Sequence, residues 1–205
     1  MTACRATNNG GAGIKGTLVE DSLANGNLLD GIIATAGVVQ SQANENVKCG
    51  VVLTGGDAHD VEARGNGLDG LQLSGGGLHG YLWATGNGEN GIRELSGSEL
   101  HLATVAGNLL DGIVGNGSTS VFDSHIVNNA GRPAVDVARL DQTVVMRNGQ
   151  GISGVPDLTE VYAAQNIGGN IAGGAVVDSV VLAGDGPGLS QPSLVQNTWV
   201  VRNQG

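Results

Sequence analysis

The feature that most limits how this chain can fold is a repeat. Asn27-Leu28-Leu29-Asp30-Gly31-Ile32 returns as Asn108-Leu109-Leu110-Asp111-Gly112-Ile113. Its skeleton is Asn, three residues, Gly, then an aliphatic. The same skeleton runs from Asn9 to Ile14, Asn46 to Val51, Asn66 to Leu71 and Asn87 to Ile92. Later copies are looser. Asn129 leads to Val135 with one extra residue, and Asn148 to Ile152 with one fewer. Asn166 leads to Ile171 with Asn170 in the Gly place, Asp185 leads to Leu189, and Asn203 starts a copy that the sequence end interrupts. Successive markers are 18, 19, 20, 21, 21, 21, 19, 18, 19 and 18 residues apart.

A second column fixes the register. Three residues before the markers stand Ala6, Ala24, Ala43, Ala63, Ala84, Val105, Ile126, Val145, Ala163, Leu182 and Val200, all apolar. Five before them the residues are small or apolar, from Cys4 and Ser22 to Val180 and Thr198. Period-2 alternation running into a turn residue is strand behaviour. Short strands repeating every 18–21 residues predict a β-solenoid, one coil per repeat, with coils stacked in parallel about 4.8 Å apart. The repeated Asn is expected to form an amide ladder from coil to coil. The Gly four residues on is expected where the backbone turns sharply or takes positive φ. Asp30, Asp69, Asn90 and Asp111 precede that Gly and suit such a turn.

Composition agrees. Gly supplies 37 of 205 residues and aromatic residues only 2%, so the core must be aliphatic and turns frequent. The net charge of -10 argues against nucleic acid or an anionic membrane surface as partner. No apolar run approaches the roughly 18 residues of a membrane span, so no membrane insertion is expected. Cys4 and Cys49 have neither a CxxC pair nor ligand spacing around them.

The N-x-x-D-G-I pattern resembles the right-handed parallel β-helix proteins, the pectate-lyase-like superfamily, along essentially the whole chain. The resemblance implies an all-β, single-stranded right-handed parallel β-helix of about ten coils, residues 1–205 forming one domain. It leaves the activity open, because that fold hosts lyases, hydrolases, epimerases, phage tailspikes and adhesins. Asn9 already belongs to the ladder, and the last residues parallel Thr143 to Gly151. The expectation is therefore a segment of a longer protein, or ends covered by partners.

The hydrolase branch of that superfamily carries an Asp pair, a Gly-His-Gly and an Arg-x-Lys. Leu78-His79-Gly80 is the one faint echo here. The best acid–base candidates are His59, Asp60, Glu62, His79 and His101, with the three histidines forming a loose outward row over three coils. A polar, hydrated corner is the competing expectation. Glu94 falls seven residues after Asn87, a place that faces inward in other coils. Burying a carboxylate costs several kcal/mol unless it is paired. A bulge that turns Leu95 in and Glu94 out is therefore expected.

The outward rows four and two residues before the markers change character along the chain. The first half is polar and holds Glu62, Arg64 and Trp83, a candidate glycan-binding set. From Val127 onward both rows are apolar. Val127, Val144, Met146, Tyr162, Ala164, Val181, Ala183, Trp199 and Val201 form an expected interface for a homo-oligomer or partner protein. The leading expectation is a non-catalytic structural or binding module of a cell-surface, secreted or virion protein, able to bind glycan. The alternatives are a polysaccharide lyase or hydrolase, for which Ca²⁺ is the cofactor to consider, and a metal- or small-ligand-binding module. Otherwise no cofactor and no resident metal are expected.

Overall fold

The computed structural model describes residues 1–182 and 184–201. Ala183 and Asn203, placed above in the apolar row and the marker column, lie outside the described residues. Every strand pairing is parallel, and each coil pairs with the coils before and after it. The described residues contain no helix.

Each coil has three faces. The first follows the marker and buries Ile14, Ile32, Val51, Leu71, Ile92, Ile113 and Ala134 in one column. The second buries Val38, Ala58, Leu100, Val121, Leu140 and Leu158. The third buries the apolar column three before the marker, beginning Ala24, Ala43, Ala63 and Ala84. Strands continue round corners, so most merge into one 21-stranded sheet; the late first-face strands stay apart as a sheet of three. Apart from the buried His79 and Glu94 the core is aliphatic, and the Phe, Tyr and Trp rings all stay out of it.

The asparagine ladder is continuous from Asn9 to Asn166. Each Nδ2 donates to the Oδ1 of the next coil's Asn at 2.8–3.1 Å, and the same Oδ1 accepts the backbone N–H. The second Nδ2 hydrogen goes to a carbonyl of the coil before, as Asn87 does to Ala63. Each interior amide thus uses all four of its hydrogen-bonding positions, the condition under which a buried polar group is tolerated.

The glycines serve this ladder differently from expectation. Gly13, Gly31, Gly50, Gly70 and Gly91 do not have positive φ; a Cβ on any of them would lie 2.5–2.7 Å from the next coil's asparagine Nδ2. They are glycine because the amide and the next backbone approach too closely for a side chain. Positive φ occurs at two other corners in nearly every coil. One is the residue before the marker, such as Gly26, Gly65, Gly86 and Gly107. The other joins the second and third faces and includes Asp21, Gln40, Asp60, Tyr81 and Asp123.

Two register assignments are corrected. Ala134, not Val135, pairs with Ile113, so Pro133 occupies the Gly place without an extra residue. In the tenth coil the marker place belongs to Gly184, not Asp185. Ala163 pairs with Val181 and Tyr162 with Val180. Val181 is therefore fully buried, and Val180 and Leu182 face outward. The missing amide is supplied from below: Asn170 accepts from Asn166 and donates to the Leu182 carbonyl.

Asn87→Ala strands two buried donors of Asn66 and should lower unfolding stability by at least about 3 kcal/mol, measured by urea denaturation. Asn9→Ala, at the exposed end of the ladder, should cost less than about 1 kcal/mol.

Candidate functional site

The strand Asp57–Arg64 alternates Val61 and Ala63 inward with Glu62 and Arg64 outward; Leu78–Thr85 does the same with Leu82 and Ala84 in, Trp83 and Thr85 out. Glu62 pairs with Trp83 and Arg64 with Thr85. These four side chains line a shallow groove of about 380 Å³ on the third face. The three residues singled out for glycan binding are thus brought together. Behind them the backbone is stiffened by outer amide rungs, Asn25 accepting from the Asn44 N–H and Asn44 from the Arg64 N–H.

Tyr81, absent from the sequence-based set, stands at the corner beside Trp83, half-exposed, with φ of 54°. A bulky side chain in the left-handed region is uncommon and costs roughly 1–2 kcal/mol. The coils before and after place Asp60 and Leu102 in this row. Tyr81 falls six residues before Asn87, and that spacing is the sequence signal of the corner row.

The acid–base candidates do not converge. His59 and His101 belong to one outward row of the second face, separated by Gly80. His101 stacks on Phe122 with centroids 4.6 Å apart and holds Glu99 at 3.3 Å. Arg139 lies over the same ring and pairs with Asp141 and Asp157. Asp60 is a corner residue with positive φ, and Glu62 lies beyond it on the third face. Among the described residues, no three His, Cys, Asp or Glu side chains gather closely enough to hold one metal ion.

His79 is in neither place. It faces inward, fully buried, between Ala58 and Leu100. Glu94 is also fully buried, while Leu95 points outward, the reverse of the expected bulge. The two side chains face one another: His79 Nε2 lies 3.5 Å from Glu94 Oε2, within ion-pair reach but short of hydrogen-bond geometry, and the other carboxylate oxygen accepts from the Ser96 N–H and hydroxyl. The small Ala58 below leaves room for the imidazole. Its N–H donates to Nδ1 at 3.0 Å, so the imidazole proton sits on Nε2, facing the carboxylate. That tautomer leaves no imidazole nitrogen free to activate a hydroxyl. The pair is built into the core and has no access to a ligand.

Burial acts to raise the Glu94 pKa, but donors from His79, Ser96 and Ser98 together outweigh it and hold the carboxyl below its ordinary value. Cys49 is pushed up to about 11 by burial and by the Asp69 and Asp30 carboxylates, which keeps it a thiol. Asp69, Asn90 and Asp111 form a second side-chain ladder ending on Arg132, as their repeated place implies.

Of the apolar row, Val127, Val144, Met146 and Tyr162 are half-buried and Trp199 and Val201 exposed, all facing outward; Val181 is replaced there by Val180. A second groove, of about 270 Å³, lies on the first face near Ile152, Ile167 and Pro187. The irregular late repeats gave no sequence signal for it.

Comparison with solved structures finds the same architecture. A periplasmic alginate epimerase, AlgG, superposes with a TM-score of 0.48 at 11% identity, over 93% of this chain and 61% of that one. A double mutant of AlgG superposes with a TM-score of 0.50 at 12% identity, over 93% of this chain and 51% of that one. The chain is a right-handed parallel β-helix. The β-helix here spans between about half and three fifths of those neighbours' length. No family model and no curated protein matches the chain. At these identities the likeness concerns the fold alone.

The buried pair has a measurable consequence. A carboxylate whose folded pKa is depressed contributes stability above its unfolded pKa and loses it as pH falls through the folded value. Stability should therefore drop below about pH 4.5, the ordinary carboxyl value that Glu94 lies beneath. Glu94→Leu alone strands the buried Nε2–H of a neutral His79 and should cost about 1–3 kcal/mol at neutral pH. His79→Leu with Glu94→Leu should restore stability and flatten the acid dependence, followed by thermal denaturation across pH.

Proposed function

We propose that this β-helix is a non-catalytic module of a secreted or cell-surface protein and binds a polysaccharide along the outer side of its third face. The observation that carries this reading is where the aromatic rings lie. The chain has two Trp, two Tyr and one Phe. Trp83, Tyr162 and Trp199 all belong to one outward row of the third face, and Tyr81 stands at its edge. Aromatic rings bury large area at interfaces at low conformational cost. Because the rings share a row, their spacing is a whole number of coils. Trp83 and Tyr162 are four coils apart, about 19 Å. A linear ligand parallel to the rod meets them in succession. Beside Trp83, Glu62, Arg64 and Thr85 offer hydrogen bonds to hydroxyl groups.

The non-catalytic part of the reading rests on geometry. Acid–base catalysis needs its groups within reach of one substrate atom. His59, Asp60, Glu62, His79 and His101 are divided between two faces, a corner and the core. The solved neighbour sharing this fold is an alginate epimerase, so a polysaccharide ligand is in keeping with the fold, though fold does not determine function.

Trp83→Ala should weaken polysaccharide binding at least about tenfold, equivalent to about 1.4 kcal/mol, with unchanged thermal stability. Isothermal titration against a panel of acidic and neutral polysaccharides measures this. Affinity that survives Trp83→Ala with Tyr81→Ala would refute the groove as the site. Release of new reducing ends would move the protein to the enzyme reading.

A further inference from the structure

The apolar half of the third face is bordered by two unlike edges. On one side run Asp123, Gln142, Glu160, Asp178 and Asn197; on the other, in the first three of these coils, run Asn128, Arg147 and Gln165, all exposed. The first edge is mainly acidic; the second carries amides and a guanidinium. We propose that this half-face is the seat of a second copy of the chain, paired in the same direction about a two-fold axis parallel to the rod.

The edges select that arrangement. A pure two-fold along the rod places each coil opposite itself and exchanges left for right. Asp123 then faces Asn128 of the second copy, Gln142 faces Arg147 and Glu160 faces Gln165, an acceptor opposite a donor each time. An antiparallel pairing sets acidic edge against acidic edge. Like charges placed opposite one another disfavour it.

Side-chain size agrees. The same operation exchanges the two apolar rows. Tyr162, a large ring in one row, comes to lie over Ala164, the smallest residue of the other. Ala164 is only 3% exposed and lies recessed in its row between Met146 and Leu182. The contact is isologous, so each ring meets the short-side-chain position of the other copy and the assembly closes as a dimer. Five coils by a three-residue strand give a strip of roughly 24 by 10 Å per copy. That is well below the about 800 Å² per partner of a standard interface, which makes the pairing reversible. The two readings share one row: a second copy covers Tyr162, so in the dimer the glycan keeps only the Trp83 groove.

Sedimentation velocity from about 1 to about 300 µM, in the absence of glycan, should show monomer passing to dimer, as a weak interface requires. Val144→Asp with Val180→Asp, both on the outer surface, should leave a folded monomer at every concentration. Direction is tested by mixing two single-cysteine chains, Tyr162→Cys and Ala164→Cys, each in a Cys4→Ser background. Oxidation should cross-link the unlike chains. The inference is overturned by a wild-type monomer at the highest concentration, by undiminished dimerisation of the double Asp variant, or by a dimer whose unlike chains fail to cross-link.

Discussion

The structure depends on an amide that is satisfied only by its own image in the next coil. Each marker asparagine gives one hydrogen forward, one back, and receives two at its oxygen. No coil can therefore complete its own turn: the unit of hydrogen bonding is the pair of coils. The glycine requirement follows. The amide of one coil and the carbonyl after it occupy the space where the preceding coil's Cβ would be, so the Asn column and the Gly column are two sides of one contact. Where the amide is missing, at Gly184, Asn170 reaches across from the coil below to occupy its place. The need for an amide at that corner outlasts the sequence pattern that usually supplies it.

An interior held in this way makes few demands on the outward rows. Core columns need only aliphatic side chains of the right size, and the backbone bonds run between coils whatever points outward. The rings are accordingly free for the surface, where three of five share one row. The outward rows can also change character along the rod without disturbing the coil. Hence a polar half with hydrogen-bonding groups is followed on the same face by an aliphatic half. The functional content of the molecule lies in that lengthwise change more than in any single residue cluster.

The fold was legible because register along a solenoid is additive: counting from a marker gives the direction of every side chain until a marker is misplaced. One misplaced marker, Asp185 for Gly184, moved Val181 to the surface and Leu182 to the core, and left the other coils intact. Coils differ in length chiefly between the first and second faces, so counting forward from the preceding marker loses the second face. Counting back from the following marker keeps it. Val19, Val38, Ala58, Leu100, Val121 and Leu140 all stand eight before a marker, and His79 stands in that row. Following it would have placed the imidazole inside. Glu94 was assigned correctly by its column and then moved outward by a desolvation argument that lacked its partner.

Two polar residues in an aliphatic core thus each appear out of place alone, and only their joint geometry explains them. His79 accepts from the Ala58 backbone, which orients its proton toward Glu94; Glu94 in turn holds Ser96 at the start of the loop leading to the second face. The pair links first-face and second-face columns across coils in a region where the loops are long and rich in Gly and Ser. Aliphatic residues would fill the same volume but leave that loop without an acceptor from the interior. A buried pair contributes little net stability compared with apolar replacements. Its physical effect here is to hold Ser96, and with it the start of the loop, against the core.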